Sequence, residues 1–321
     1  MSSEEPVAVS TASHVGAAFA DAIELCRDAV ARDDAIGHLS HYSLGMHNFS
    51  VDRSAEVDQW RRDEVVALGR RLSFQFTSLD RAVHDARTGS LIRLVAQSAE
   101  GAVICVTSQP GDQLVGVVRA PADREALPWT PHVREADELV SMLAITLRAH
   151  TRLSSQNPGG FETVQDFVPI IGEVTDPKVT VRKPDAPGVE RMAELAADAL
   201  RHKHLHFVAY CVDGEVAMTA DSLGAPGLRS FFTQIHVDLR RRFYVALSRQ
   251  LPESVTKLNR MLSPIPGGRL LRLVLDVDQG AIYYYHLGTG RYLVGVTLDQ
   301  SGVMHADDYT ARLAAQVLRD G

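Results

Sequence analysis

Leu270-Leu-Arg-Leu-Val-Leu-Asp-Val-Asp-Gln-Gly-Ala-Ile-Tyr-Tyr-Tyr-His-Leu-Gly-Thr-Gly-Arg-Tyr-Leu-Val-Gly-Val-Thr297 decides how the rest of this chain is read. An earlier stretch echoes it: Leu91-Ile-Arg-Leu-Val-Ala-Gln-Ser-Ala-Glu-Gly-Ala-Val-Ile-Cys-Val-Thr-Ser-Gln-Pro-Gly-Asp-Gln-Leu-Val-Gly-Val-Val118. Superposed without a gap, 11 of the 28 positions are identical, where about two are expected from ordinary residue frequencies. A tandem duplication follows. Each copy holds three strand-like runs: Leu91–Gln97, Ala102–Thr107 and Leu114–Val118 in one, Leu270–Asp276, Ala281–His286 and Tyr292–Thr297 in the other. The middle runs are nearly all apolar or aromatic, which suits a central strand. The turns fall at Ala99-Glu100-Gly101 and Asp278-Gln279-Gly280, then at Gln109-Pro110-Gly111 and Gly288-Thr289-Gly290. Glycine there supplies the positive φ that a tight hairpin demands. Helical spacing follows each meander, over Val133–Ala149 and Ala306–Arg319, with Asp307-Asp308 read as an N-terminal cap pair.

Outward from the repeat, the second half begins with a helix over Val189–Arg201. A hairpin follows, Leu205–Cys211 and Glu215–Thr219, turning at Asp213-Gly214, and then a long helix over Gly227–Gln250. The first half runs in the same order, with a helix over Ala17–Arg32, one or two short strands over Gly37–Val51 and an amphipathic helix over Val57–Leu79. Residues 1–12 are small and polar and are expected to fray. Residues 151–187 carry five prolines and also apolar residues such as Phe167, Val168, Ile170 and Ile171. They read as a connector lying against its neighbours, between one domain at 1–150 and another at 188–321. The expected fold class is α+β, in two tandem domains, each an antiparallel sheet of a hairpin plus a three-stranded meander packed by helices.

A 321-residue chain of 45% apolar and 23% charged composition is long enough for two cores. The net charge of −7 is spread along the chain and gives no reason to expect a nucleic-acid partner. Cys26, Cys105 and Cys211 have no metal-ligand spacing and read as reduced thiols of a cytoplasmic protein. No apolar run reaches the roughly 18–20 residues of a membrane span.

The hairpin Phe207–Thr219 with its Asp213-Gly214 turn, the long helix and the meander Leu273–Val296 with Gly280 and Gly290 resemble the Roadblock / dynein-light-chain family, related in shape to profilin-like and longin folds. The resemblance covers most of the second half and less of the first, where Gly37–Val51 lacks a clear hairpin signal. It implies a non-enzymatic module that regulates small GTPases or motor and secretion complexes. It implies no catalytic residues, and the residue patterns give no expectation of a cofactor or metal. Two copies in one chain imply an intramolecular pseudo-dimer or a homodimer. Two other readings stay open: a chaperone or adaptor of a bacterial specialised secretion system, and a small-ligand sensor.

Among individual residues, Tyr283, Tyr285 and Tyr292 are candidate partner anchors on an open sheet face, weighed against burial under helices. Arg240 and Arg241 are candidate contacts for an acidic partner, weighed against a solvated helix face. His204 and His206 would share a strand face, and His38, His41 and His47 form a looser group with His41 and His47 on one face. Either set offers imidazoles to a metal, but no Cys or carboxylate stands at ligand spacing. Gly288-Thr289-Gly290-Arg291 lacks the Gly-Lys-Ser/Thr ending of a phosphate loop and reads as a turn. No Gly-x-Ser-x-Gly, His-Glu-x-x-His or Cys-x-x-Cys occurs.

Overall fold

The computed structural model describes residues 7–32, 36–53, 62–119, 131–162, 176–263 and 267–320. Val57, Trp60, Pro121, Pro128, Pro264-Ile265-Pro266 and the apolar run from Phe167 to Ile171 lie outside them. The chain forms two compact units. The first comprises Met1–Ser78, Ile92–Phe161 and Lys257–Leu270, the second Leu79–Leu91, Glu162–Thr256 and Leu271–Gly321. Each unit thus includes a short piece from the opposite half of the sequence.

The first unit contains β1 (Val7–Thr11), α1 (Ala20–Arg32), β2 (Ile36–Ser43), β3 (Met46–Arg53), α2 (Arg62–Val83), β4 (Leu91–Ser98), β5 (Gly101–Gln109), β6 (Asp112–Arg119) and α3 (Pro131–His150). Its strands run antiparallel in the order β1-β3-β2-β6-β5-β4. Gly37–Val51 is therefore a true hairpin. The two-residue turn Leu44-Gly45, both at positive φ, pairs Ser43 with Met46. The expected fraying of residues 1–12 is corrected at Val7–Thr11, which adds an edge strand to β3, with Ser10 Oγ 2.8 Å from Ser50 Oγ. Helix α2 covers the face that bears Tyr42, whose hydroxyl donates to the Val66 carbonyl at 3.0 Å. Gly69 leaves room for that ring, since a Cβ there would stand 2.2 Å from the hydroxyl.

The second unit contains β7 (Lys178–Val181), α4 (Val189–Leu200), β8 (Phe207–Val212), β9 (Glu215–Asp221), α5 (Val237–Leu262), β10 (Leu270–Val277), β11 (Gly280–His286), β12 (Arg291–Thr297) and α6 (Val303–Asp320). Its antiparallel order is β10-β11-β12-β8-β9-β7. The α+β class expected from the sequence holds in both units. β7 arises within the proline-rich stretch and pairs with β9.

The two copies match beyond their strands. Arg93 on β4 forms a buried ion pair with Asp137 on α3. The aligned Arg272 on β10 pairs with Asp307 on α6 in the same way, at a less buried position. Three residues past each acid, the helix crosses an aligned glycine. A Cβ on Gly116 would stand 3.1 Å from Val140, and one on Gly295 2.5 Å from Thr310. This corrects the cap reading of Asp307-Asp308, because α6 begins at Val303 and the turn before it is capped by Asp299, whose side chain accepts from the Ser301 amide. The long helix α5 also runs further than Gln250. It continues through Pro252 to Leu262. Proline at 252 has no N–H for the Ser248 carbonyl four residues back, and the Tyr292 hydroxyl takes that bond instead at 2.8 Å.

Candidate functional site

The alternation along β11 sends Tyr283 and Tyr285 to one face and Tyr284 to the other. Tyr283 donates to the Val303 carbonyl at 2.7 Å, and Tyr285 to Asp307 Oδ1 at 2.6 Å, both under α6. Burial and the neighbouring Asp307 carboxylate push the Tyr285 phenol well above its ordinary value. Tyr292 stacks with Tyr284 at 5.2 Å between centroids and lies beneath α5. All three candidate tyrosines are buried, so the open-face reading is corrected: their rings fill the core, and their hydroxyls satisfy helix groups. Phenylalanine at 292 would strip the bond from the carbonyl that Pro252 leaves bare. Tyr292→Phe is expected to lower stability by about 1–2 kcal/mol. Urea melts that coincide with wild type would show that the carbonyl needs no such partner.

The two candidate arginines are likewise structural. Arg240 is fully buried, at 0% exposure. Its Nε and Nη2 donate to the carbonyls of Ala86 and Arg87 at 2.9 and 3.2 Å, and its guanidinium lies 4.7 Å from the Phe232 ring centroid. Those carbonyls end a helical turn and have no helical acceptor role left, so a cation there both bonds and complements the helix end. Arg241 grips Asp221 bidentately, Nε to Oδ2 at 2.7 Å and Nη2 to Oδ1 at 2.9 Å. That grip ties the start of α5 to the end of β9. The solvated-face reading holds for Arg242, which is exposed.

The histidines do not gather. The Leu44-Gly45 turn pairs Tyr42 with His47 across a register shift, so His47 shares the His38 face and His41 takes the other, the reverse of the sequence reading. His38 Nδ1 lies 2.5 Å from Asp52 Oδ1, and Arg62 Nε reaches Asp52 Oδ2 at 3.1 Å. His41 stacks on Phe49, at 5.3 Å and 7°. Burial holds its pKa down, against the pull of Asp112. His204 lies against His305 at 4.7 Å, before β8 begins, and does not share a strand face with His206. Among the described residues no three His, Cys, Asp or Glu are placed to hold a metal ion. All three cysteines are free and buried.

His206 accepts the Leu298 amide on Nδ1 at 2.9 Å. Burial, opposed by Asp299, lowers its pKa from 6.5 to about 4. Its folded pKa is below its unfolded one, so the unfolded chain binds the extra proton between those values. The contribution of neutral His206 is present above pH 6.5 and is lost as pH falls toward 4, by about 3 kcal/mol in all. Urea melts at stepped pH should show that loss, and His206→Gln should flatten it. An equal slope in the variant would assign the loss to other groups.

The sequence reading missed the hairpin tip of the first unit. Leu44, Met46 and Phe74 are 86%, 53% and 63% exposed. They sit together: a Cβ on Gly45 would stand 3.3 Å from Phe74 Cζ, and one on Gly111 would stand 3.0 Å from Leu44 Cδ2. The signal was an apolar residue where a turn prefers Asn, Asp or Gly. It was hidden because the hairpin itself was not recognised.

The fold defines an α+β protein carrying two copies of one unit, each a β-hairpin, a long helix, a three-stranded meander and a closing helix. No family model matches the chain, and no curated protein matches it. Among solved structures it is similar to the gliding protein MglB of Thermus thermophilus, with 16% identity over 44% of this chain and 98% of that one, at a TM-score of 0.32. It is also similar to MglB in a tetrameric arrangement, with 16% identity over 44% of this chain and 96% of that one, at a TM-score of 0.32. No helix among the described residues is long and apolar enough to cross a membrane.

Proposed function

We propose that this chain is a non-enzymatic regulatory or scaffold protein that acts through protein–protein contacts, with a small GTPase as the partner class implied by its Roadblock-like order. One observation carries the reading: the hairpin–helix–meander–helix order occurs twice with the same internal fastenings. Leu44 N donates to Gly111 O at 2.7 Å, and Asp213 N to Gly290 O at 2.7 Å. Maintaining two such frames in one chain suits a protein that presents surfaces. Fold likeness supports no particular partner by itself.

The test is quantitative co-purification of the tagged full chain from its own cells, followed by reconstitution with the purified partner. A stoichiometric GTPase whose nucleotide hydrolysis or exchange changes on adding the chain is the expected result. A secreted substrate in its place would favour the secretion-adaptor reading. Turnover of a common ester, phosphate or peptide substrate by the pure chain at an ordinary enzyme rate would sink the proposal.

A further inference from the structure

The two copies share one hairpin turn but dress it differently. Leu44-Gly45 has φ of 51° and 79°, and Asp213-Gly214 has 52° and 78°. Each turn's first residue leans on an aligned meander glycine, Leu44 on Gly111 and Asp213 on Gly290. The long helices align as well, as Leu72-Ser73-Phe74-Gln75-Phe76 on Leu247-Ser248-Arg249-Gln250-Leu251. Leucine, serine and the final apolar residue are buried in both. Three surface positions follow from this register. Leu44, Met46 and Phe74 in the first copy stand where Asp213, Glu215 and Arg249 stand in the second. There the spot is ordinary solvent surface, with Arg249 Nη2 3.3 Å from Glu215 Oε2.

The exchange runs against local preference at Leu44. A residue at positive φ favours Asp, Asn or Gly, and the second copy keeps Asp. The first copy holds a leucine there with most of its surface in water. Three of the large hydrophobic side chains exposed among the described residues thus lie at or beside this one turn. Arg70 and Arg71 lie four and three residues before Phe74, neighbours on the same helical surface, and both are exposed. Val245 and Ala246 hold the aligned positions. Neither arginine has an ion pair among the described residues. Of the acids of this hairpin and its neighbouring strand, Asp112 lies 3.9 Å from His41 Nε2, and Asp52 is held by His38 at 2.5 Å and by Arg62 at 3.1 Å.

We propose that Leu44, Met46 and Phe74, flanked by Arg70 and Arg71, dock an acidic protein segment carrying apolar side chains. The inference rests on the contact-based role proposed above and names the surface. Apolar anchors would supply the buried contact, and the two guanidiniums would select carboxylates. An anionic membrane fits less well, since juxtamembrane basic clusters hold about 4–8 cations and this spot has two.

The probes are fluorescein-labelled synthetic peptides read by anisotropy: one alternating Glu with Leu and Phe, one with Lys for Glu, and one with Ser for the apolar residues. The full chain should bind the first and neither of the others. Leu44→Asp, Met46→Glu and Phe74→Arg together install the second copy's residues on the same backbone and should weaken binding at least about tenfold. Arg70→Ala with Arg71→Ala should weaken binding and flatten its salt dependence, without needing the hairpin to be changed.

The proposal falls if the swapped chain binds equally, if the Lys peptide binds as well, or if no peptide binds at millimolar concentration. It also falls if only phosphatidylserine vesicles bind, or if sedimentation shows a dimer that the swap dissociates. A co-purified partner that binds wild type and the swapped chain alike would overturn this surface and leave the regulatory role standing. Peptide binding without any cellular partner would do the reverse.

Discussion

Asp137→Asn is expected to lower stability by about 3–5 kcal/mol, because it removes the buried carboxylate that pairs with the Arg93 guanidinium in the core. Both partners are buried, at 3% and 4% side-chain exposure. The second copy offers a graded comparison. Arg272 and Asp307 are 9% and 17% exposed, and Asp307 also accepts the Tyr285 hydroxyl, a bond that an amide oxygen can still take. Asp307→Asn should therefore be the milder change. The paired replacement Arg93→Met with Asp137→Leu removes both charges and should recover most of the loss, since a buried ion pair often contributes little over an apolar pair of similar size. Chemical denaturation of the four proteins reads all this directly. If Asp137→Asn melted with wild type, the pair would not be holding helix to sheet.

Gly280→Ala should be nearly as damaging, at about 4 kcal/mol, by adding backbone strain to overpacking. Its φ is 94°, and an added Cβ would stand 2.1 Å from the Thr297 carbonyl oxygen, which is backbone and held in the sheet. Gly214→Ala separates the two contributions. Its φ is 78° with nothing within 4 Å, so only the conformational penalty of about 1 kcal/mol remains. Equal losses at the two sites would mean that β12 yields easily, and that the tight approach at Gly280 is unimportant.

Gly280 was visible in the sequence as a turn. Its close contact with Thr297 was not, since that depends on how β11 meets β12. The same divide runs through the candidate site. Tyr283 and Tyr285 were correctly assigned to one face by alternation, yet which face a helix covers depends on α6, twenty residues on. Arg240 looked like one of three exposed cations. Its burial comes from two carbonyls more than 150 residues earlier in the chain. The long helix, expected to end at Gln250, continues through Pro252, which is tolerated there because Tyr292 arrives from a distant strand to bond Ser248.

From residue order alone came the duplication, the turn glycines, the strand alternation and the α+β class, because those rest on local backbone preferences and on periodicity within a few residues. Tertiary structure decided what periodicity cannot encode. It made Val7–Thr11 a strand by giving it β3 to pair with, turned the candidate tyrosines and Arg240 into core, and left Leu44, Met46 and Phe74 in water. Burial is a property of what arrives from elsewhere in the chain, and a hydrophobic residue carries no local sign of whether anything does.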